Sequence, residues 1–234
     1  MNTNSLSLVS SSSQRAYAAY STALQPSSIT IEAWIKPSGL SARQDIVLKV
    51  KNEATNNASY LLTLGAGGSN NVLYAIFQNG SNGVQIGSNS TLTAGVWTHI
   101  AVTYDGTTAN IYINGNATAD STATLNQALA YSGSHIMNIG CTLNNSDTPS
   151  GGFFNGLIDD IRIWNTVRTG IQINSDFRRE LGGNESGLVG YWKLDNNYND
   201  ATSNANTLTS VNSPTFSTDL PFVDSNGLFM GAGL

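Results

Sequence analysis

Charge is scarce in this chain. Only 11% of its 234 residues are Asp, Glu, Lys or Arg, against roughly 25% in an average globular domain. The 10 Lys and Arg are scattered and the formal net charge is -5, so the surface cannot neutralise a row of phosphates, and nucleic-acid binding is excluded. No apolar run approaches the ~18 residues that cross a bilayer, so no membrane insertion is expected. The opening segment from Met1 to Val9 lacks the basic start and long apolar stretch of a secretory signal. One cysteine, Cys141, permits no internal disulfide. Its strand-like setting from Ile136 to Cys141 and its lack of a basic neighbour read as a small buried hydrophobe rather than a reactive thiol.

Carboxylates in catalytic spacing are missing as well. A Glu-x-Asp-x-Glu strand would put three carboxylates on one face by alternation, where they could flank a sugar. Here the glutamates are Glu32, Glu53, Glu180 and Glu185, none at that spacing from another. Asp159 and Asp160 are adjacent, and regular alternation sends neighbours to opposite faces. His99 sits in a Trp-x-His strand and reads as a packed, hydrogen-bonded core histidine; His135 receives no role. The chain is expected not to be an enzyme.

What remains is apolar material for a core, 40% of residues, with Ser, Thr, Asn and Gly carrying solubility and turns. Short β-patterned runs recur between turn signals, as in a sandwich or barrel. Ile29, Ile31, Ala33 and Ile35 share one strand face with Trp34 on the other, and Pro37 stops the run. Residues 46–50, 60–64, 72–78 and 84–86 read as further strands, with a long polar loop at 51–58. Residues 97–104 and 110–113 form a hairpin, and Asn114-Gly115 suits the positive φ values of a type I′ turn. Thr169 with Gln172 makes a capping box for a short helix near 170–181, packed by Ile171, Ile173 and Phe177 and ended by Gly182 and Gly183. Residues 188–194 return to a sheet, and a last short strand is expected near 207–211. No repeat or linker appears, so 1–222 is expected to be a single domain, followed by an apolar, Gly-rich tail at 223–234.

The segments Ile31–Pro37, Trp97–Gly106, Phe153–Trp164 and Gly190–Asp195, in this order, resemble the laminin-G-like and pentraxin-like jelly rolls of the concanavalin A-like lectin/glucanase superfamily, from about Leu6 to Phe222. The resemblance implies an all-β fold, a two-sheet antiparallel sandwich of concanavalin A-like topology. It also points to two loops that hold calcium in pentraxins. One corresponds to Asn56 and Asn57; the other falls at 141–147, where Asp147 alone is charged. The same loops offer amides and aromatics for sugar hydroxyls and C–H faces: Asn56, Asn57, Tyr60, Asn144, Asn145, Asp147 and Phe153, with Phe154 beside them. Tyr74 and Phe77 could line a sheet face. Laminin-G-like bacterial domains also carry an Asp-rich segment after the Tyr-Trp strand. Asp195, Asp200 and Asn204 are the matching candidates for one structural Ca²⁺.

Two functions follow as expectations. The first is a non-catalytic, lectin-like module recognising cell-surface or matrix glycans. The second is a structural or attachment protein of a bacteriophage virion, a capsid decoration or fibre component. The absence of a signal-like start and the apolar tail, with Leu228, Phe229, Met230 and Leu234, feed the second: the tail would join copies into a homo-oligomer or larger assembly. Either places the protein outside the cell or on a virion surface.

Overall fold

A computed structural model of the protein describes residues 2–50, 58–79, 82–131, 134–144 and 146–222. Asn56, Asn57, Asn145 and the tail at 223–234 lie outside the described residues.

The strands are β1 (Ser5–Leu8), β2 (Arg15–Ala18), β3 (Ile29–Pro37), β4 (Gln44–Val50), β5 (Ala58–Leu64), β6 (Val72–Asn79), β7 (Asn82–Thr91), β8 (Thr98–Tyr104), β9 (Thr108–Ile113) and β10 (Ser121–Thr124). They continue with β11 (Met137–Ile139), β12 (Thr142–Leu143), β13 (Pro149–Gly151), β14 (Gly156–Trp164), β15 (Leu188–Trp192), β16 (Leu208–Val211) and β17 (Thr215–Ser217), with helix α1 (Gly170–Asp176) between β14 and β15. Among the described residues one antiparallel sheet runs β10-β9-β8-β3-β14-β1-β17, with β15 also on β14. The other runs β16-β2-β11-β4-β5-β6-β7, and β12 and β13 form a small hairpin. This is the two-sheet sandwich expected.

Alternation builds the core. Ile29, Ile31, Ala33 and Ile35 of β3 meet Ile46, Leu62, Leu73 and Phe77 of the opposing sheet in one buried cluster, while Trp34 faces the other way and stacks on Phe177. Trp97, expected on a strand, lies one residue before β8. Asn114 and Gly115 both take positive φ, 53° and 64°.

Two expectations need correction. Helix α1 has its capping box, Thr169 with Gln172, but it stops at Asp176 rather than near 181. Side-chain contacts to the main chain take over there: Trp34 Nε1 donates to the Phe177 carbonyl (2.8 Å) and Arg162 Nη1 to that of Asp176 (3.0 Å). Ile173 is buried, but Ile171 is 76% exposed, so Ile171 does not pack the helix down. The second correction concerns β14. Its register against β3 slips by one residue between Asp159 and Arg162, and Asp160 has φ 49°. This bulge lets Ile158, Ile161 and Ile163 all reach the core, and it keeps both Asp159 and Asp160 out of that core.

Candidate functional site

The outward side of the eight-stranded sheet is closed by charge pairs. Arg162 binds Asp160 through both Nε (2.7 Å) and Nη2 (2.8 Å). Arg168 Nη1 donates to Glu32 Oε1 (3.0 Å) and Nη2 to Asp176. His99 Nε2 lies 3.5 Å from Glu32 Oε2, and its ring meets Trp34 and Phe177 edge-on. Burial pushes the Glu32 carboxyl up, but His99, Arg162 and Arg168 outweigh it and hold its pKa at about 2. These groups pin α1 and the residues after it to the sheet. His99 is thus a packed histidine, as expected.

The opposite sheet ends in a different arrangement. Lys49, at the end of β4, donates from Nζ to the His135 carbonyl (2.7 Å) and sits 5.5 Å from the centre of the Tyr20 ring. His135 Nδ1 lies 3.1 Å from Asp147 Oδ1. Asn144 shapes the same turn: its Oδ1 accepts from the backbone N–H groups of Ser146 (2.9 Å) and Thr148 (3.0 Å). Tyr20 is 44% exposed and Asn144 is exposed. Burial lowers the Lys49 pKa to about 8, against the pull of Asp147. Four stretches therefore meet at one rim: the residues after β2, the end of β4, the approach to β11, and the β12–β13 turn.

Of the sequence-predicted sugar contacts, Asn144 and Asp147 stand at this rim. Tyr60 does not. It is fully buried, and its hydroxyl donates to the Leu24 carbonyl (3.2 Å), because its strand position faces the core. Phe77 is a core residue for the same reason, and Phe154, in the connection between β13 and β14, is buried in the same core. Phe153 is partly buried and lines a separate hollow of about 140 Å³ with Ser10, Arg43 and Asn155. Sequence pattern alone does not single out Tyr20, Lys49 or His135 for a ligand. Their only signal is proximity to turns, since the contacts that join them span up to 86 residues.

The Asp200 loop does not fit calcium. Asp200 Oδ1 accepts from the N–H groups of Tyr191 (3.0 Å) and Thr202 (2.9 Å). Its Oδ2 accepts from the Asn206 backbone (2.9 Å) and side chain (3.1 Å). Asn204 turns its Nδ2 to the Val189 carbonyl (3.0 Å). The carboxylate is already filled by N–H donors, so Asp200 is the hub of a turn rather than a cation ligand. Asp195 bonds elsewhere, to Thr3 and Asn4.

Among the described residues nothing assembles a hydrolytic pair. Glu32 is in the ion network, Glu185 accepts from the Gly182 and Gly183 N–H groups, and Glu180 lies 4.0 Å from Lys193; Glu53 is outside the described residues. The hollow beside α1, lined by Arg168, Gln172, Asp176 and Glu185, holds about 180 Å³, below the roughly 300 Å³ at which small-molecule pockets begin.

The sequence profile of the concanavalin A-like lectin/glucanase superfamily, in its laminin-G-like form, matches residues 10–174. The chain belongs to this family. Solved structures agree on the fold. A candidate carbohydrate-binding protein from Bacteroides ovatus ATCC 8483 superposes with a TM-score of 0.71 at 20% identity, covering 94% of this chain and 61% of that one. The heptameric SAP-like pentraxin of Limulus polyphemus gives 0.61 at 15%, covering 92% and 94%. The CBM40 of Ruminococcus gnavus IT-sialidase, bound to α2,3-sialyllactose, gives 0.55 at 13%, covering 68% and 91%. The chain thus spans about three fifths of the Bacteroides protein. No curated protein matches it. Among the described residues no helix is long and apolar enough to cross a membrane.

Proposed function

We propose that this family member is a non-catalytic carbohydrate-binding domain acting at an extracellular surface, with its ligand seated on the rim around Tyr20, Asn144 and Asp147. One observation carries the reading: an exposed aromatic ring, a carboxylate and an exposed amide converge at one end of the seven-stranded sheet. Sugar recognition needs a ring face for C–H surfaces and a few fixed polar groups for hydroxyls. The Lys49 and His135 contacts fix those groups in place, so little side-chain freedom is lost on binding. The described hollows are too small to enclose an oligosaccharide, and an open rim suits the end or branch of a glycan. The sialyllactose complex of the Ruminococcus domain makes sialylated glycans a sensible first panel.

A glycan array followed by calorimetry on the hits tests this. Tyr20→Ala should abolish the binding heat while leaving the melting temperature in place, because the ring is half exposed. Asp147→Asn should weaken binding without removing it. Silence across the array, or hits that survive both substitutions undiminished, would overturn the reading.

A further inference from the structure

Strand β2 carries a buried arginine that has no acid to answer it. Ala16 and Ala18 point into the core, so alternation turns Arg15 and Tyr17 to the outward face of the seven-stranded sheet. Arg15 is 9% exposed. Its Nη1 donates to Asn138 Oδ1 (2.9 Å), and its guanidinium carbon lies 5.2 Å from the centre of the Tyr17 ring. Asn138 is braced in turn, since its Nδ2 donates to the Cys141 carbonyl (2.7 Å). Arg15 Nε is buried without a hydrogen-bond partner. Arg162 and Arg168, also buried, each bond to a carboxylate. Among the described residues Arg15 forms no ion pair.

An arginine cannot shed its proton, so this guanidinium keeps its charge where water is scarce. One amide oxygen and one aromatic ring compensate it only in part. An acid from outside supplies the missing charge, and the planar guanidinium fork matches the oxygens of such a group. The neighbours of Arg15 suit a sugar that bears the acid. Thr209 of β16 stands directly opposite Tyr17, so the two share a face. Thr209 is exposed and Tyr17 half-buried. A hydroxyl and part of an aromatic ring therefore flank the one charged group. From Tyr17 the chain reaches Tyr20 within at most about 11 Å of extended backbone, a span that a short oligosaccharide covers.

We propose that Arg15, braced by Asn138 and flanked by Tyr17 and Thr209, is the subsite for an acidic substituent, a carboxylate or a sulfate, on the glycan seated at the Tyr20 rim. The inference rests on the glycan-binding reading and adds the charge class of the ligand: acidic glycans over neutral ones.

Calorimetry on the intact chain with pairs of oligosaccharides that differ in a single acid tests it. Sialylated and uronic-acid glycans are set against their neutral counterparts, and sulfated glycans against unsulfated ones. The acidic member of at least one pair should bind at least tenfold more tightly, and the pair that shows this tells carboxylate from sulfate. The margin should shrink as sodium chloride is raised, through screening. Arg15→Gln should bring the acidic member down to the affinity of the neutral one. Arg15→Lys keeps the charge but not the fork, and should leave an intermediate preference. Equal affinity within every pair, or an acid preference that Arg15→Gln leaves intact, would overturn this proposal while the glycan-binding reading stands. Silence toward every member, acidic and neutral, would sink both. Should Arg15→Gln fail to fold, Arg15→Lys and the salt series on the wild-type chain decide: an acid preference unmoved by either rejects the subsite.

Discussion

Asp200 shows how one side chain can organise a loop without any ligand. Four N–H donors converge on its two oxygens, from Tyr191, Thr202 and Asn206. Hydrogen bonds to a charged acceptor contribute about 1.5–3 kcal/mol each, but the donors here regain water when freed at a partly exposed site. Asp200→Ala is therefore expected to cost about 2–4 kcal/mol in urea denaturation, equally in calcium and in chelator. Glu32 illustrates the stricter case of a fully buried charge. It is shared by Arg168 and His99, with Arg162 Nη1 at 3.8 Å. Glu32→Ala leaves buried arginines without their counter-charge, so a loss of about 3–5 kcal/mol is expected. Glu32→Gln should cost less than Glu32→Ala, because the amide keeps the volume and one acceptor for Arg168.

Helix α1 is only seven residues long, too short to persist alone, so its existence depends on its ends and its seat. Thr169 and Gln172 cap it reciprocally, and Thr169→Ala should cost about 1 kcal/mol. The seat is tighter than the cap. A Cβ on Gly170 would come within 1.9 Å of the Ala117 carbonyl oxygen and 2.9 Å of the Tyr112 ring. Gly170→Ala is therefore expected to lift the helix start off the turn after β9. In hydrogen exchange the amides of 170–177 should lose protection while those of β4 and β5 keep theirs; unchanged protection in the helix would show that the turn yields instead. The capping box is legible in the sequence because it is local chemistry. The early end of the helix is not, since it is set by Trp34 and Arg162, residues that reach it from other strands.

At the scale of the whole molecule, legibility divides along the same line. The strands of the core announce themselves through alternation, and Ile29, Ile31, Ala33 and Ile35 face inward as their period requires. Tyr60 belongs to the same alternation, which explains why a residue beside a polar loop is a core residue and not a sugar contact. The rim of Lys49, His135 and Asp147, and the Asn2–Asp159 contact across 157 residues, depend on which strands become neighbours, and periodicity carries no such information. The bulge at Asp160 is hidden too, because one extra residue reverses the alternation that sequence reading assumes.

The buried ion network also sets how the sandwich responds to acid. Glu32 holds its proton only below about pH 2 in the folded chain, against 4.5 for the free side chain. A carboxyl with a depressed folded pKa stabilises the fold fully above its unfolded pKa, and that contribution is lost as pH falls through the folded value. The loss should fall between about pH 4.5 and 2. Unfolding free energy, measured by denaturant titration at a series of pH values, should drop across that window in the wild-type chain. In Glu32→Gln the drop should be shallower, since the titrating group is gone. If the two profiles run parallel from about pH 5 to about pH 2, separated only by a constant offset, the acid sensitivity lies in other carboxyls and the network does not govern it.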